Sequence, residues 1–428
     1  MITGSSDDLA QVLPLELPRT EPRPIARAAD MATDPGLDSG VNPGIARRMD
    51  TETDRSPERR ARMALSCIAE PGDPALAVEV GRIGAVEMLR SVLAGDHGPA
   101  LAERADRLDL SDYQAAISAG RFRFVIPGDS EWPERLSDLS AGESIQRRGG
   151  APYGLWVRGP GDLAALARRS VAIVGARASS QYGDMVARDL GCELAGSGWT
   201  VVSGGAFGID AAAHRGALSA PGPTIAVLAC GVDTAYPAGN HALFQAIATD
   251  HLLISELPPG AHPTRVRFLA RNRVIAALAV GTIVVEAAIR SGARNTANWA
   301  GLCNRQLMAV PGSIHSALSV TPHLLIREGQ AAMITNSAQA RETLAAMGEE
   351  LAPVPSGPTR VTDGLDETRL AVFEAVPRRR YKTAGEIALA ADVTMPRCLA
   401  ELGALADAGL VQSGPNGWRL HDRLAGSR

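Results

Sequence analysis

Hydrophobic positions change rhythm twice along the chain. Between Pro57 and about Gly150, apolar residues recur at helical spacing over Ala61–Ile68, Ala75–Val92 and Tyr113–Ala119. A short strand-like run, Phe122–Ile126, follows them, and the polar stretch Ser140–Gly150, ending Arg-Arg-Gly-Gly, reads as a connector. From about Pro152 short, continuous apolar runs alternate with helical stretches. The predicted strands are Val171–Val174, Thr200–Ser203, Thr224–Leu228, Leu252–Ser255, Thr282–Glu286, Gln306–Val310 and Ala332–Thr335. The stretches between them include Asp184–Ala195, Asp210–Leu218 and Thr296–Leu302. Strands that are apolar on both faces and separated by helices belong to a parallel sheet covered on both sides. The predicted fold class is therefore α/β, a doubly wound, mostly parallel sheet.

Past this region, Ala352–Pro358 has the composition of a linker. Three helical patterns then follow, Asp366–Ala375, Thr383–Ala390 and Met395–Ala408. Two short strands, Gly409–Gln412 and Trp418–Leu420, flank the turn Gly414–Gly417. Three helices and a hairpin are the order of a winged helix. The expected organisation is a disordered tail over 1–56, a helical domain over 57–150, the α/β domain over 151–350, a linker over 351–362 and the winged-helix-like domain over 363–423. The tail is rich in Pro, Asp, Arg and Thr and lacks apolar periodicity.

Composition narrows the chemistry. The chain has 428 residues, 45% of them hydrophobic, which is too long for one core and ample for two or three. Its formal net charge is −4, so nucleic-acid binding would rest on local clustering rather than a global field. The only lysine is Lys382, which leaves the α/β domain without a lysine for a P-loop, a Schiff base or pyridoxal attachment. Arginine can serve instead as a bidentate, permanently charged phosphate partner. Cys67, Cys192, Cys230, Cys303 and Cys398 are far apart and sit in apolar stretches, which predicts reduced buried thiols rather than a metal site. Neither a signal peptide nor a run of 18 apolar residues is seen, so the expectation is a soluble, cytoplasmic protein without membrane contact.

Candidate chemistry gathers where strands end. The first strand of the α/β region runs into Gly175-Ala176-Arg177, and the second into Ser203-Gly204-Gly205-Ala206-Phe207-Gly208, with Asp210 placed to cap the next helix. Glycines at the carboxyl ends of parallel strands let a phosphate approach backbone NH groups and a helix N-terminus. No GxGxxG is present, so dinucleotide binding is poorly supported. The third element, Arg265 to Arg273, holds four arginines, Asn272 and Phe268 without an acid in nine residues. Arg271 and Arg273 are the expected phosphate clamps and Phe268 the expected stacking surface. Glu286, Arg290, Ser291, Gly292, Asn295 and Pro311 to Ser313 follow on the same rim. Glu286 is expected to orient arginines rather than act as a catalytic acid, since no second carboxylate or partnered histidine completes an acid–base pair. His214 is expected to be a satisfied structural residue.

Eight stretches in order resemble the DNA-processing DprA family, also called Smf: VAIVGARASSQYG, VVSGGAFGIDAAAHRGAL, TIAVLACGVDTAYPAGN, SELPPGAHP, FLARNRVIAAL, VVEAAIRSGARNTA, AVPGSI and LLIREG. They run from Val171 to Gly329 and cover the whole central domain. The flanks are similar too: Trp132 to Leu136 and Gly154 to Gly159 match the end of a helical, SAM-like domain and its lead-in. The resemblance implies an extended Rossmann-like fold that binds single-stranded DNA, dimerises through the central domain and helps load the RecA recombinase during natural transformation. It implies a DNA pocket at Gly175, Arg177, Ser203, Gly204, Gly205, Ala206, Gly208, Phe268, Arg271, Asn272 and Arg273, with Arg290, Ser291 and Gly292 close by. No cofactor and no catalytic residue is implied. Ala176 stands where serine is usual, Gly205 where leucine or phenylalanine is typical, and Val320-Thr321-Pro322 replaces a glycine-containing stretch.

Two other readings remain open on the residues. One is a phosphoribohydrolase-like enzyme on a similar sheet, whose Pro-Gly-Gly-x-Gly-Thr loop is only echoed by Gly204-Gly205 and Gly281-Thr282. The other is a duplex-DNA binder acting through the C-terminal module. There the helix Met395–Ala408 offers only Arg397 as a base-reading cation against Glu401 and Asp407, and the best basic patch is Arg378-Arg379-Arg380 with Lys382.

Overall fold

The structure is a computed structural model that describes residues 56–140, 144–353 and 361–422. Residues 1–55 of the expected tail, part of the connector after Ser140 and most of the expected linker lie outside these residues. The chain divides into two compact units that meet at Ala352 and Pro353.

Among the described residues, the first unit begins with five helices: α1 (Pro57–Ile68), α2 (Pro74–Ile83), α3 (Ala85–Ala94), α4 (Pro99–Asp106) and α5 (Ser111–Ser118). Ser56 and Asp73 cap the first two, and Pro57 and Pro74 stand at first-turn positions where a missing NH costs nothing. The single helical pattern expected over Ala75–Val92 is two helices, because Gly84 sits at φ 83° and ends α2. Strand β1 (Arg123–Val125) follows, then β2 (Leu155–Arg158).

The remainder alternates strand and helix: α6 (Leu163–Arg168), β3 (Ser170–Val174), α7 (Gln181–Gly196), β4 (Thr200–Ser203), α8 (Ile209–Leu218), β5 (Thr224–Val227), α9 (His241–Asp250), β6 (Leu252–Ser255), α10 (Arg265–Leu278), β7 (Gly281–Val284), α11 (Gly292–Leu302), β8 (Gln306–Ala309), α12 (Val320–Arg327), β9 (Ala332–Met333) and α13 (Ser337–Leu344). The sheet order is β1-β2-β6-β5-β4-β3-β7-β8-β9. Strands β3 to β9 pair in parallel, while β1 and β2 extend the β6 edge antiparallel. This is the doubly wound, Rossmann-like α/β fold read from the apolar runs.

Strands β3 to β7 are buried on both faces, which is why those runs show no polar alternation. On β3, Val171 and Ile173 pack with α7 and α8 through Leu190, Leu194, Ile209 and Ala213. Ala172 and Val174 face the other way, onto Val274 to Leu278 of α10 and Ala297 of α11. Trp156 on β2 joins the helical segment to the sheet. It is fully buried, its ring lies 4.8 to 5.6 Å from those of Phe124, Tyr113 and Phe122, and its indole NH donates to Ser66.

The second unit contains α14 (Glu367–Ala375), α15 (Ala384–Ala390), α16 (Met395–Asp407) and the hairpin β10 (Val411–Gly414) with β11 (Gly417–Leu420). Thr383 and Glu386 form a reciprocal capping box at α15. Val372, Ile387, Cys398, Leu402, Leu405 and Val411 make its core.

Candidate nucleic-acid interface

In an open parallel sheet, ligands bind beyond the strand carboxyl ends, where successive connections leave in opposite directions. Here that point lies at β3, since β4 to β6 stack on one side of it and β7 to β9 on the other. The turns after β3, β4 and β7 converge there. Gly175 leaves β3 so close to its neighbours that an added Cβ would sit 2.5 Å from Ile209 Cγ1 and 2.8 Å from the Glu286 carbonyl. The turn after β4 requires a left-handed backbone twice, at Gly205 (φ 65°) and Gly208 (φ 73°). A Cβ at Gly205 would enter the Phe244 ring, so this position is closed to a larger side chain.

Arg271, on α10, locks this turn from beneath. Its guanidinium is buried and donates from Nη1 to the carbonyls of Gly204 (2.6 Å) and Val227 (2.7 Å). Burial lowers its pKa, and the buried carboxylate of Asp210 opposes that shift. Asp210 accepts from the Gly204 NH at 3.2 Å, and burial holds its own pKa above the usual carboxylate range. Asp210 thus ties the turn back on itself, while the residue preceding α8 is Gly208. Ser203 is fully buried, and its hydroxyl donates to the Ile173 carbonyl on the neighbouring strand.

Above this base lies the exposed part of the site. Arg177 is exposed, with its guanidinium 4.5 Å from the centre of the Phe268 ring. The same ring lies 5.7 Å from the Arg271 guanidinium and 5.8 Å from the ring of Tyr236. Phe207, at 51% exposure, continues the aromatic surface next to Gly239. Among the described residues no carboxylate pairs with Arg177, Arg265, Arg290 or Arg294, so four cations on this rim remain available to anions.

Two expectations change on inspection of the partners. Arg273 does not reach the exposed rim: it is 1% exposed, its guanidinium grips Glu256 with two arms, and its Nε donates to the Gly150 carbonyl at 3.0 Å. It fastens α10 to the connector instead of offering a charge. Glu286, expected to orient arginines, accepts from the Ser180 NH (2.9 Å) and hydroxyl (2.6 Å), and so anchors the start of α7. Asn272 is buried and donates to the Gly292 carbonyl (3.3 Å) and the Asn295 side chain (3.2 Å), which binds α10 to the Arg290, Ser291 and Gly292 turn. In that turn Arg290 and Gly292 are exposed, and Ser291 caps α11. His214 is buried, its Nδ1 lies 2.8 Å from the Thr224 hydroxyl, and burial pushes its pKa down to about 3. It is a neutral structural histidine, but not the fully satisfied one expected, since its buried Nε2 has no hydrogen-bond partner among the described residues.

The sequence pattern assigns no role to Glu256 or Tyr236, and gives Phe207 only as a member of the Ser203–Gly208 turn. Tyr236 and Phe207 stand beside glycines and prolines in the quoted stretches, and that company was the one available signal. No helix among the described residues is long and apolar enough to cross a membrane.

The described turns and the order of their motifs agree with a match of residues 123–345 to the family described as DNA recombination-mediator protein A. The chain belongs to that family. DprA of Mycobacterium tuberculosis, named as a DNA processing protein, is 41% identical over 372 residues, which cover 85% of this chain and 95% of that protein. DprA of Streptococcus pneumoniae is 45% identical over 42% of this chain and 62% of its own length. The X-ray structure of DprA from the same species superposes with a TM-score of 0.55 at 32% identity, covering 68% of this chain and 98% of that one. Membership in the DprA family places the chain in DNA processing and recombination.

Proposed function

We propose that the chain is a mediator that holds single-stranded DNA on the rim formed by Gly175–Arg177, Gly204–Gly208 and Phe268, and passes it to a recombinase. The observation that carries this reading is Arg177, exposed, unpaired with any described carboxylate and stacked on Phe268. A guanidinium over an aromatic ring offers a phosphate partner and a base-stacking face at one place. The Gly204 to Gly208 turn adds open backbone, and Arg271 holds that turn in shape. Recognition of backbone charge and base faces suits any sequence of single strand.

The recombinase is RecA, natural transformation the setting, the cytoplasm the compartment and a dimer of the α/β domain the working form; these rest on the resemblance to the family. In this reading the chain acts by binding, without catalysis. The hydrolase alternative loses support because Glu286 is already committed to Ser180. The duplex alternative loses support because Arg397 on α16 pairs with Glu401 at 2.8 Å, while Met395 and Leu399 are the exposed side chains beside it. The C-terminal unit, winged-helix-like in its order of elements, therefore has a secondary role in binding DNA.

A titration of oligo-dT against the wild type and Arg177→Ala at several salt concentrations tests the proposal. About four engaged phosphates give a log–log salt slope near −3, from roughly −0.7 per phosphate on single strands. An affinity insensitive to salt, or release of free base from a nucleoside monophosphate, would overturn it.

A further inference from the structure

The segment 144–148, expected as a plain connector, is a tight hairpin turn. Ile145 and Arg148 exchange both backbone hydrogen bonds, at 2.9 and 3.0 Å. The two residues between them, Gln146 (φ 51°) and Arg147 (φ 61°), are both left-handed. A two-residue turn with both central residues at positive φ ordinarily takes Asn-Gly or Gly-Gly, because a Cβ there is strained. A pair of long side chains in this position is strained, and such strain collects at binding sites.

The turn is joined to the DNA rim by side chains. Gln146 accepts from Asn295 at 3.4 Å, Asn295 accepts from Asn272 at 3.2 Å, and Asn272 also donates to the carbonyl of Gly292. Asn272 stands one turn along α10 from Phe268, on the same helix face. Arg147 is exposed and has no carboxylate partner among the described residues. Arg290 is likewise exposed and unpaired in the neighbouring turn, and Arg294 is half-buried in the first turn of α11.

We infer that the single-stranded DNA path continues from Arg177 and Phe268 past the start of α11 to Arg147, which takes a backbone phosphate at the tip of the hairpin. The inference rests on the reading of the Arg177 rim as the DNA site and extends it. Gln146 positions the tip, and Arg147 supplies the charge. The strain at position 147 is retained because glycine, which would relieve it, carries no cation.

Three variants, Arg147→Ala, Arg147→Gly and Arg177→Ala, are titrated with oligo-dT strands of increasing length and followed by thermal denaturation. Arg177→Ala should weaken every length. Arg147→Ala and Arg147→Gly should leave the shortest strands unchanged and weaken the long ones about tenfold, with a salt slope shallower by about 0.7. Arg147→Gly should also raise the melting temperature, since glycine removes the strain that arginine bears. If both Arg147 variants bind all strands as the wild type does while Arg177→Ala loses affinity, the extended path is wrong and the rim stands. A loss at Arg147 equal for all lengths also overturns the path. Unchanged binding by Arg177→Ala overturns the rim and the path together.

Discussion

Arg273 and Glu256 form a buried two-armed ion pair in which Nη2 meets Oε1 at 2.6 Å and the arginine is 1% exposed. The pair joins the middle of α10 to the segment after β6, and Arg273 Nε reaches on to Gly150. Removing one partner of such a pair leaves an uncompensated buried charge. Arg273→Ala and Glu256→Ala should each destabilise the first unit by about 3–5 kcal/mol. Denaturant midpoints measure this. At temperatures where the variants stay folded, the salt slope of DNA binding should match the wild type, since the guanidinium contacts no phosphate.

Gly204 is the reverse case, a residue whose lack of a side chain makes room for a charge. A Cβ there would overlap the Arg271 guanidinium, which bonds Gly204 and Val227. Gly204→Ala should displace Arg271, cost about 1–3 kcal/mol as an overpacked site, and weaken oligonucleotide binding as the turn shifts. Parallel unfolding and binding titrations on one preparation separate the two effects.

Phe268 offers the ring on which Arg177 rests. Base–aromatic stacking is worth about 1–3 kcal/mol, so Phe268→Ala should weaken single-strand binding by about 5- to 150-fold. Because the loss is one of stacking rather than charge, the salt slope should hold. Fluorescence anisotropy across a salt series gives both quantities.

His214 sets a pH dependence. Burial lowers its folded pKa to about 3, below its ordinary value of 6.5, so the unfolded chain binds the proton more readily. Its contribution to stability is complete above about pH 6.5 and declines as pH falls toward about 3. Asp210, whose pKa burial raises, acts in the opposite direction over part of this range. The comparison is therefore between the wild type and His214→Gln. The difference in unfolding free energy between them should shrink steadily with acidification, as followed by urea titrations at stepped pH.

The strands of the parallel sheet were legible because burial on both faces leaves uninterrupted apolar runs such as Val171–Val174. The break at Gly84 was not, since apolar spacing continues straight across it. The antiparallel strand Leu155–Arg158 looked like a lead-in, because its partners Phe124 and Ile254 lie about 30 and 100 residues away in the chain. In the site, glycine turns and the Arg265–Arg273 cluster could be placed on one rim by their positions after strands. Which arginines face solvent could not. Arg271, Arg273 and Arg177 have the same chemistry, and tertiary partners alone assign them to a turn, an ion pair and a half-buried ring. The turn at Gln146–Arg147 was hidden for the opposite reason: neither residue type signals a left-handed backbone.

The central claim is that Arg177 meets DNA phosphate above the glycine turn. Its most direct test is the salt dependence of oligo-dT binding by Arg177→Ala beside the wild type. The account predicts weaker binding that is uniform across strand sequences, and a log–log slope shallower by about 0.7, the loss of one phosphate contact. Equal affinity and equal slope in the two proteins would contradict it.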